Sequence, residues 1–131
     1  MVLDEGLHIG DDRAMLHLVY FLKPTKKALQ NQKEFKSWLK DRQEWFYKDI
    51  DVAKNPSWQI VTVGEPVHAL RHTISFDDEA AWGEYRRILH VRSSDPEWQA
   101  RRCEQEDWWE IVDSRLLNDY SLDPSDMDIC D

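Results

Sequence analysis

The stretch "AMLHLVYFLK", residues 14–23, is the part of the sequence that decides the fold. It is rich in leucine, β-branched and aromatic residues, and this composition is typical of a β-strand. Side chains alternate between the two faces of a strand. One face would carry Leu16, Leu18, Tyr20 and Leu22, and the other Met15, His17, Val19 and Phe21. Both faces are mainly apolar, so we expect helices to cover one and a second sheet to cover the other.

Segments with strand and helix patterns follow this strand in a recognisable order. Pro24 ends the strand, and Thr25 is placed to cap a helix that runs to about Lys48. The short "GEP" turn joins two further strands into a hairpin. The predicted elements after the first helix are two strands at 58–64 and 66–76, two helices at 77–91 and 94–107, and a closing strand at 108–118. The order β-α-β-β-α-α-β predicts an α+β fold, namely a ferredoxin-like sandwich with one added helix.

Length and charge limit the classes of protein to consider. A chain of 131 residues is expected to form one domain, here residues 14–118 between acidic ends at 1–13 and 119–131. Of the net charge of −9, the ends carry most, and the body holds 17 acids against 16 bases. No face is dominated by basic residues, so we expect no binding of nucleic acid. No apolar run approaches the roughly 20 residues of a membrane span, and no signal peptide precedes the domain, so we expect a cytoplasmic protein.

Three segments resemble a known group of proteins. They are "YFLKP" (20–24), "FKSWLKDRQEWF" (35–46) and above all "DDEAAWGEYRRILHVRSSDPEWQ" (77–99). Together they are similar to the dimeric α+β barrel superfamily, especially its NIPSNAP-like branch, over roughly residues 14–118. The resemblance implies a homodimer that pairs through its sheets. It implies no single activity, because the superfamily includes cofactor-free monooxygenases, polyketide cyclases, haem-degrading enzymes and members without known activity.

Histidines are the first candidates for chemistry. In "PVHALRHTISF" (66–76), strand alternation would place His68 and His72 on the more apolar face. Four residues along a strand span about 13 Å, which is too far for both to hold one metal ion. Each could be an ordinary packed side chain, or could transfer protons at the wall of a cavity. His17 would join them if the first and third strands are neighbours with matching faces.

Other residues are candidates for holding a substrate. Trp38, Trp82 and Tyr85 would form an aromatic lid over the histidines, or simply part of the core. Tyr20 could donate a hydrogen bond. Arg71 could hold a carboxylate or enolate oxygen, or could pair with an acid of the partner copy. We expect no metal and no cofactor, although His90 at the end of a helix leaves haem binding open as an alternative.

These residues together predict a small cofactor-independent enzyme. Its substrate would be an aromatic or polyketide-like molecule held between the sheet and the helices. Cyclisation by proton abstraction is the first expectation, and oxygenation without metal or flavin is the second. A non-catalytic dimer that binds a hydrophobic ligand or a protein is the alternative from a different class. Alanine substitution of the histidines distinguishes the enzyme from the binding protein, because a binding protein would keep its affinity for the ligand.

Overall fold

The computed structural model describes residues 15–125. Within this range four strands and five helices follow one another: β1 (Leu16–Pro24), α1 (Lys26–Gln30), α2 (Gln32–Phe46), β2 (Lys54–Ile60), β3 (Leu70–Phe76), α3 (Glu79–Arg92), α4 (Pro96–Cys103), α5 (Gln105–Trp108) and β4 (Trp109–Asn118). The predicted order is confirmed, and the first and third predicted helices are each divided. Asn31 separates α1 from α2, where its side chain donates to the carbonyl of Lys27.

The strands form one antiparallel sheet in the order β2-β3-β1-β4. The two hairpin strands lie on one side of β1, and the closing strand lies on the other. This is the strand order of a ferredoxin-like sheet, so the predicted fold class is confirmed. Among residues 15–125, no helix is long and apolar enough to cross a membrane.

The hairpin differs from the prediction at both of its strands. β2 begins at Lys54 rather than at residue 58, so Pro56 lies inside the strand. A sheet edge tolerates proline because an edge strand needs only half of its backbone hydrogen bonds, and the register shifts between Lys54 and Ser57. β3 begins only at Leu70, and the residues before it form a turn in which His68 adopts a φ of 68°.

The helices cover one face of the sheet. Leu16 and Leu18 of β1 pack there against Ile74 and Phe76 of β3 and Phe46 of α2. A second, tryptophan-rich cluster continues the core at the other end of β1: Leu22, Ala28, Phe35, Trp108 and Trp109. The predicted alternation of β1 is therefore confirmed, with its even-numbered residues directed to the helices.

The other face of the sheet has no helix over it among the described residues. The register places the odd-numbered residues of β1 and β3 on this face, together with three residues of β4: His17, Val19, Phe21, Arg71, Thr73, Ser75, Asp113, Arg115 and Leu117. We call this surface the open face. Apolar side chains remain on it, and Leu117 is 42% exposed.

Candidate functional site

A cavity of about 110 Å³ lies between the sheet and the helices. Its wall combines aromatic and cationic side chains, contributed by β1, the end of α2, β3, α3 and the segment before β4. The residues that matter below are Tyr20, Arg42, Tyr47, His72, Tyr85 and Trp109. The cavity adjoins an open depression of about 380 Å³, with which it shares Arg102, Gln105, Trp109 and Ile111. The cavity therefore has a wide mouth beside β4.

His72 is the buried base of this site. It lies on β3 opposite Tyr20 of β1, is 2% exposed, and stacks on Trp58 with ring centroids 3.8 Å apart. Its Nδ1 lies 3.0 Å from the carbonyl oxygen of Ser57. Since a carbonyl only accepts, Nδ1 carries the proton and Nε2 is the free acceptor. Burial lowers the pKa of His72 to about 4, so the imidazole is neutral at pH 7.

Tyr47 provides the proton that His72 accepts. Its Oη lies 2.7 Å from Nε2 of His72, so the phenol donates to the imidazole. Arg42 and Tyr85 also lie within hydrogen-bonding reach of Tyr47. Burial raises the pKa of Tyr47 to about 12, although the nearby Arg42 opposes this rise. Tyr47 is held in place by Arg92 of α3, which donates to the carbonyls of Phe46 and Lys48 on either side of it.

Arg42 is the buried cation of the site. It is 7% exposed, and its guanidinium carbon lies 4.1 Å from the ring centre of Phe46 and 5.1 Å from that of Trp109. Its Nε donates to the side-chain oxygen of Gln105 at 2.6 Å. Its buried Nη1 has no hydrogen-bond partner among residues 15–125. Burial lowers the pKa of Arg42, and the groups that oppose this effect are Tyr47, Tyr85 and Tyr20 rather than carboxylates.

A bulge in β4 determines which of its residues face the cavity. The register with β1 shifts so that Phe21 is opposite Asp113 and Leu22 is opposite Ile111, which leaves Val112 as the extra residue. Ile111 and Trp109 consequently lie on the cavity side. Without the bulge, Glu110 would be on that side, close to Arg42. Bulges often occur beside functional sites because they redirect side chains in this way.

Three of the predicted site residues line the cavity: His72, Tyr20 and Tyr85. Burial raises the pKa of both tyrosines above the ordinary value, so both phenols stay protonated at neutral pH and can donate hydrogen bonds.

The predicted cluster of three histidines is wrong. His17 is opposite Ser75 on the open face, where its ring bonds the Ser75 hydroxyl and the Asp119 carboxylate, each at 2.7 Å. His68 is exposed in the turn before β3 and does not share a strand face with His72. Only His72 reaches the cavity, because the sheet separates it from His17 and the turn separates it from His68.

The other predicted binding residues also lie elsewhere. Arg71 is exposed on the open face, so the sheet lies between it and the cavity. Trp38 belongs to the core, where it stacks on Phe35 and Trp108. Trp82 packs on Phe76 and lines a different depression. His90, the alternative haem ligand, is exposed on α3 and lines none of the cavities found in residues 15–125.

Arg42 and Tyr47 were not predicted from the sequence, although Arg42 leaves a signal there. The apolar stripe of the first long helix passes through Phe35, Leu39 and Phe46, and residue 42 falls on the same stripe. A charged residue at an apolar position is a mark of a buried functional group. Tyr47 leaves no such signal, since it follows the last turn of α2 and its direction depends on tertiary contacts.

Comparisons with known proteins give the fold a wider setting. No protein-family model matches the sequence, and no curated protein is significantly similar to it. Several solved structures are similar in fold. A NIPSNAP-like domain protein from Burkholderia xenovorans has a TM-score of 0.54 at 14% identity, over 88% of this chain and 91% of that one. A dimeric protein with a ferredoxin-like fold from Bacteroides fragilis has a TM-score of 0.52 at 11% identity, over 79% and 95%.

A third structure has a name that refers to an activity. It is an antibiotic biosynthesis monooxygenase by name, from Bacteroides thetaiotaomicron, with a TM-score of 0.50 at 13% identity, over 88% of this chain and 97% of that one. These structures share the α+β fold of this chain, which is described as ferredoxin-like for the Bacteroides fragilis protein. At these identities the likeness concerns the fold alone. The cavity described above lies on the helix side of the sheet, and among residues 15–125 no helix lies over the open face.

The chemistry of the site follows from its own residues. Among residues 15–125, no group of three or more histidine, cysteine or acidic side chains is arranged to hold a metal ion. The cavity instead combines a neutral base with a phenol bonded to it, two further phenols and a buried guanidinium. Such a set can accept a proton and can stabilise negative charge on oxygen.

Proposed function

We propose that the protein is a cofactor-independent enzyme that moves protons on a small carbonyl compound in the cavity between sheet and helices. The observation that carries this proposal is the hydrogen bond from Tyr47 Oη to His72 Nε2, 2.7 Å long, at the wall of the cavity. A general base must lie within hydrogen-bonding reach of the proton that it accepts. Nε2 of His72 meets this requirement for the proton of Tyr47.

The proposed step is a proton relay. The phenol oxygen of Tyr47 accepts a proton from a carbon next to a carbonyl group, while the proton of Tyr47 passes to Nε2 of His72. The electron pair of the broken C–H bond moves to the carbonyl oxygen and forms an enolate. The imidazolium keeps its bond to the Ser57 carbonyl, and return of the proton completes the cycle. Attack of the enolate carbon on a second carbonyl of the same molecule would close a ring, so cyclisation belongs to the same chemistry.

The size of the cavity limits which part of a substrate it holds. A closed cavity of about 150 Å³ accepts benzene, and this one measures about 110 Å³. The enclosed part therefore fits the reacting end of a molecule, and an aromatic or polyketide-like remainder would lie in the mouth. Aromatic walls from Phe46 and Trp109 suit such a planar group.

Deuterium exchange tests the proposal without knowledge of the natural substrate. Phenylpyruvate and acetylacetone both carry an enolisable carbon, and NMR in D2O measures its exchange. We expect the protein to accelerate the exchange, and we expect Tyr47→Phe and His72→Gln to lower the rate by about 10²- to 10⁴-fold. The rate should fall only near pH 4, because protonated His72 cannot accept a proton and its pKa is about 4.

His17→Gln is the matched control, since His17 is a histidine of the neighbouring strand on the opposite face. It should leave the exchange rate unchanged. If Tyr47→Phe and His72→Gln retain the wild-type rate per folded molecule, the pair is structural and the protein is a binding module rather than an acid–base enzyme.

Oxygenation is a second candidate, favoured by the fold neighbour named as an antibiotic biosynthesis monooxygenase. The same proton abstraction would produce the enolate, and dioxygen would then be the co-reactant. Oxygen uptake during turnover separates the two reactions, because isomerisation and cyclisation consume no dioxygen.

We also propose that two copies of the chain associate through the open face. This face carries the half-buried Phe21 and the exposed Leu117, and no helix lies over it among the described residues. A fold neighbour is described as a dimeric protein, which supports self-association. A twofold contact would bury the same surface of each copy.

A further inference from the structure

We propose that Arg42 is the anchor for an anion, and that the ligand of the cavity is a small planar molecule with a carboxylate or enolate oxygen bonded to Nη1. This inference rests on the proposed function for the place of the ligand, and it adds the charge and chemical class of that ligand. It assigns to a helix residue the role that the sequence suggested for Arg71.

Arg42 has no counter-charge among residues 15–125. A guanidinium that is 7% exposed has lost most of its hydration, and burial of an unpaired charge is unfavourable. The ion pairs found in residues 15–125 involve other residues, and none includes Arg42. A negative charge on the ligand would supply the partner that residues 15–125 do not provide.

Arg42 also has a buried donor without an acceptor among the described residues. Gln105 accepts a hydrogen bond from Nε, and the guanidinium stacks on Phe46 and Trp109. In the described part of the chain, no oxygen or nitrogen acceptor reaches Nη1. Other buried polar atoms without partners, such as Nε1 of Trp38 and Oγ1 of Thr73, are neutral. A charged donor without an acceptor is the most costly of these, so it is the group with most to gain from a ligand.

The surroundings of the guanidinium also suit an anion. The phenols of Tyr20 and Tyr85 line the same cavity and stay protonated, so both can donate to a ligand oxygen. The bulge of β4 keeps Glu110 on the side away from Arg42. The mouth carries mixed charges, with Arg102 against Glu106 and Glu110, so selection for anions depends on the inner wall.

The test compares ligands of equal shape and different charge. Benzoate with benzamide and acetate with acetamide are the two pairs, measured by calorimetric titration of the wild-type protein. We expect at least one anion to bind about tenfold or more tightly than its amide, as for a hydrogen bond to a charged group. If neither anion is preferred, the proposal is overturned, and this comparison needs no variant to fold.

Substitution then locates the preference. Arg42→Met, which replaces the charge by an apolar chain of similar length, should reduce the affinity for the preferred anion about tenfold or more and leave the affinity for the amide unchanged. Arg101→Met is the matched control, because Arg101 also lies over an aromatic ring, that of Trp45, but is exposed. An equal loss in both variants, or no loss in a folded Arg42→Met, contradicts the assignment.

The result is independent of catalysis. Anion binding requires no turnover, so it can be observed even if Tyr47 and His72 prove to be structural. Conversely, exchange of acetylacetone, which has no carboxylate, can succeed when benzoate and acetate show no preference. The failure of one proposal is therefore distinguishable from the failure of the other.

Discussion

His17 and His72 are histidines on neighbouring strands that face opposite sides of one sheet. His72 lies between the sheet and the helices, neutral and bonded to a backbone carbonyl and a phenol. His17 lies on the open face, where it bonds the side chains of Ser75 and Asp119. The two strands are adjacent in the sheet, yet His72 is buried and His17 is partly exposed to solvent. Alternate positions along a strand point to opposite faces of the sheet, and this alternation decides whether a histidine is a buried base or a surface partner.

The largest effect should come from placing a charge on either side of β1. Leu18→Asp buries an unpaired carboxylate among Ile74 and other core residues, so we expect the free energy of unfolding to fall by about 4 kcal/mol or more. Phe21→Asp puts the same charge on the open face. It should preserve the fold and abolish association of two copies. Circular dichroism in urea measures the first effect and sedimentation velocity the second.

Two outcomes would contradict this contrast between the faces. A wild-type chain that stays monomeric at micromolar concentration shows that the open face is not an interface between copies. A Leu18→Asp variant that folds normally shows that the helices do not cover the even-numbered face of β1.

The sequence predicted the fold better than the site for a physical reason. The apolar alternation in β1 is a local pattern, and it correctly separated Leu18 from Val19 and indicated two faces. The position of His68 could not be predicted from such a pattern, because His68 lies in the turn before Leu70 and not in the strand that its spacing suggested. Arg42 and Tyr47 reach His72 only through the packing of α2 on the sheet. Such contacts depend on tertiary structure, which a strand or helix period does not encode.

The next largest effect is the pH dependence that His72 gives to stability. Its pKa is about 4 in the folded state and about 6.5 in the unfolded state. Below pH 6.5 the unfolded chain therefore binds a proton that the folded chain does not. Stability is full above pH 6.5 and decreases as the pH falls toward 4, by up to about 3 kcal/mol from this residue. Urea unfolding at pH 7, 5.5 and 4.5 measures the decrease.

His72→Gln supplies the reference for that measurement. The variant should be less stable than the wild type at pH 7, because the bonds to Tyr47 and Ser57 are altered. Its stability should decrease less steeply between pH 7 and 4.5, since the buried imidazole is gone. Parallel curves for the two proteins would show that the pKa of His72 is the same in the folded and the unfolded chain, which would contradict the prediction.

The smallest effect belongs to His17. Its side chain is 27% exposed and that of Asp119 is 44% exposed, so their 2.7 Å contact is a partly solvated pair. Pairs of this kind contribute about 0 to 1 kcal/mol, and salt screens them. We expect His17→Gln to reduce the free energy of unfolding by no more than about 1 kcal/mol. Measurement in the Phe21→Asp background removes any contribution from a second copy. A loss comparable to that of His72→Gln in that background would mean that the bonds of His17 on the open face stabilise the fold as much as the bonds of His72 between sheet and helices. A large loss seen only without Phe21→Asp would instead place the His17–Asp119 pair in the contact between two copies.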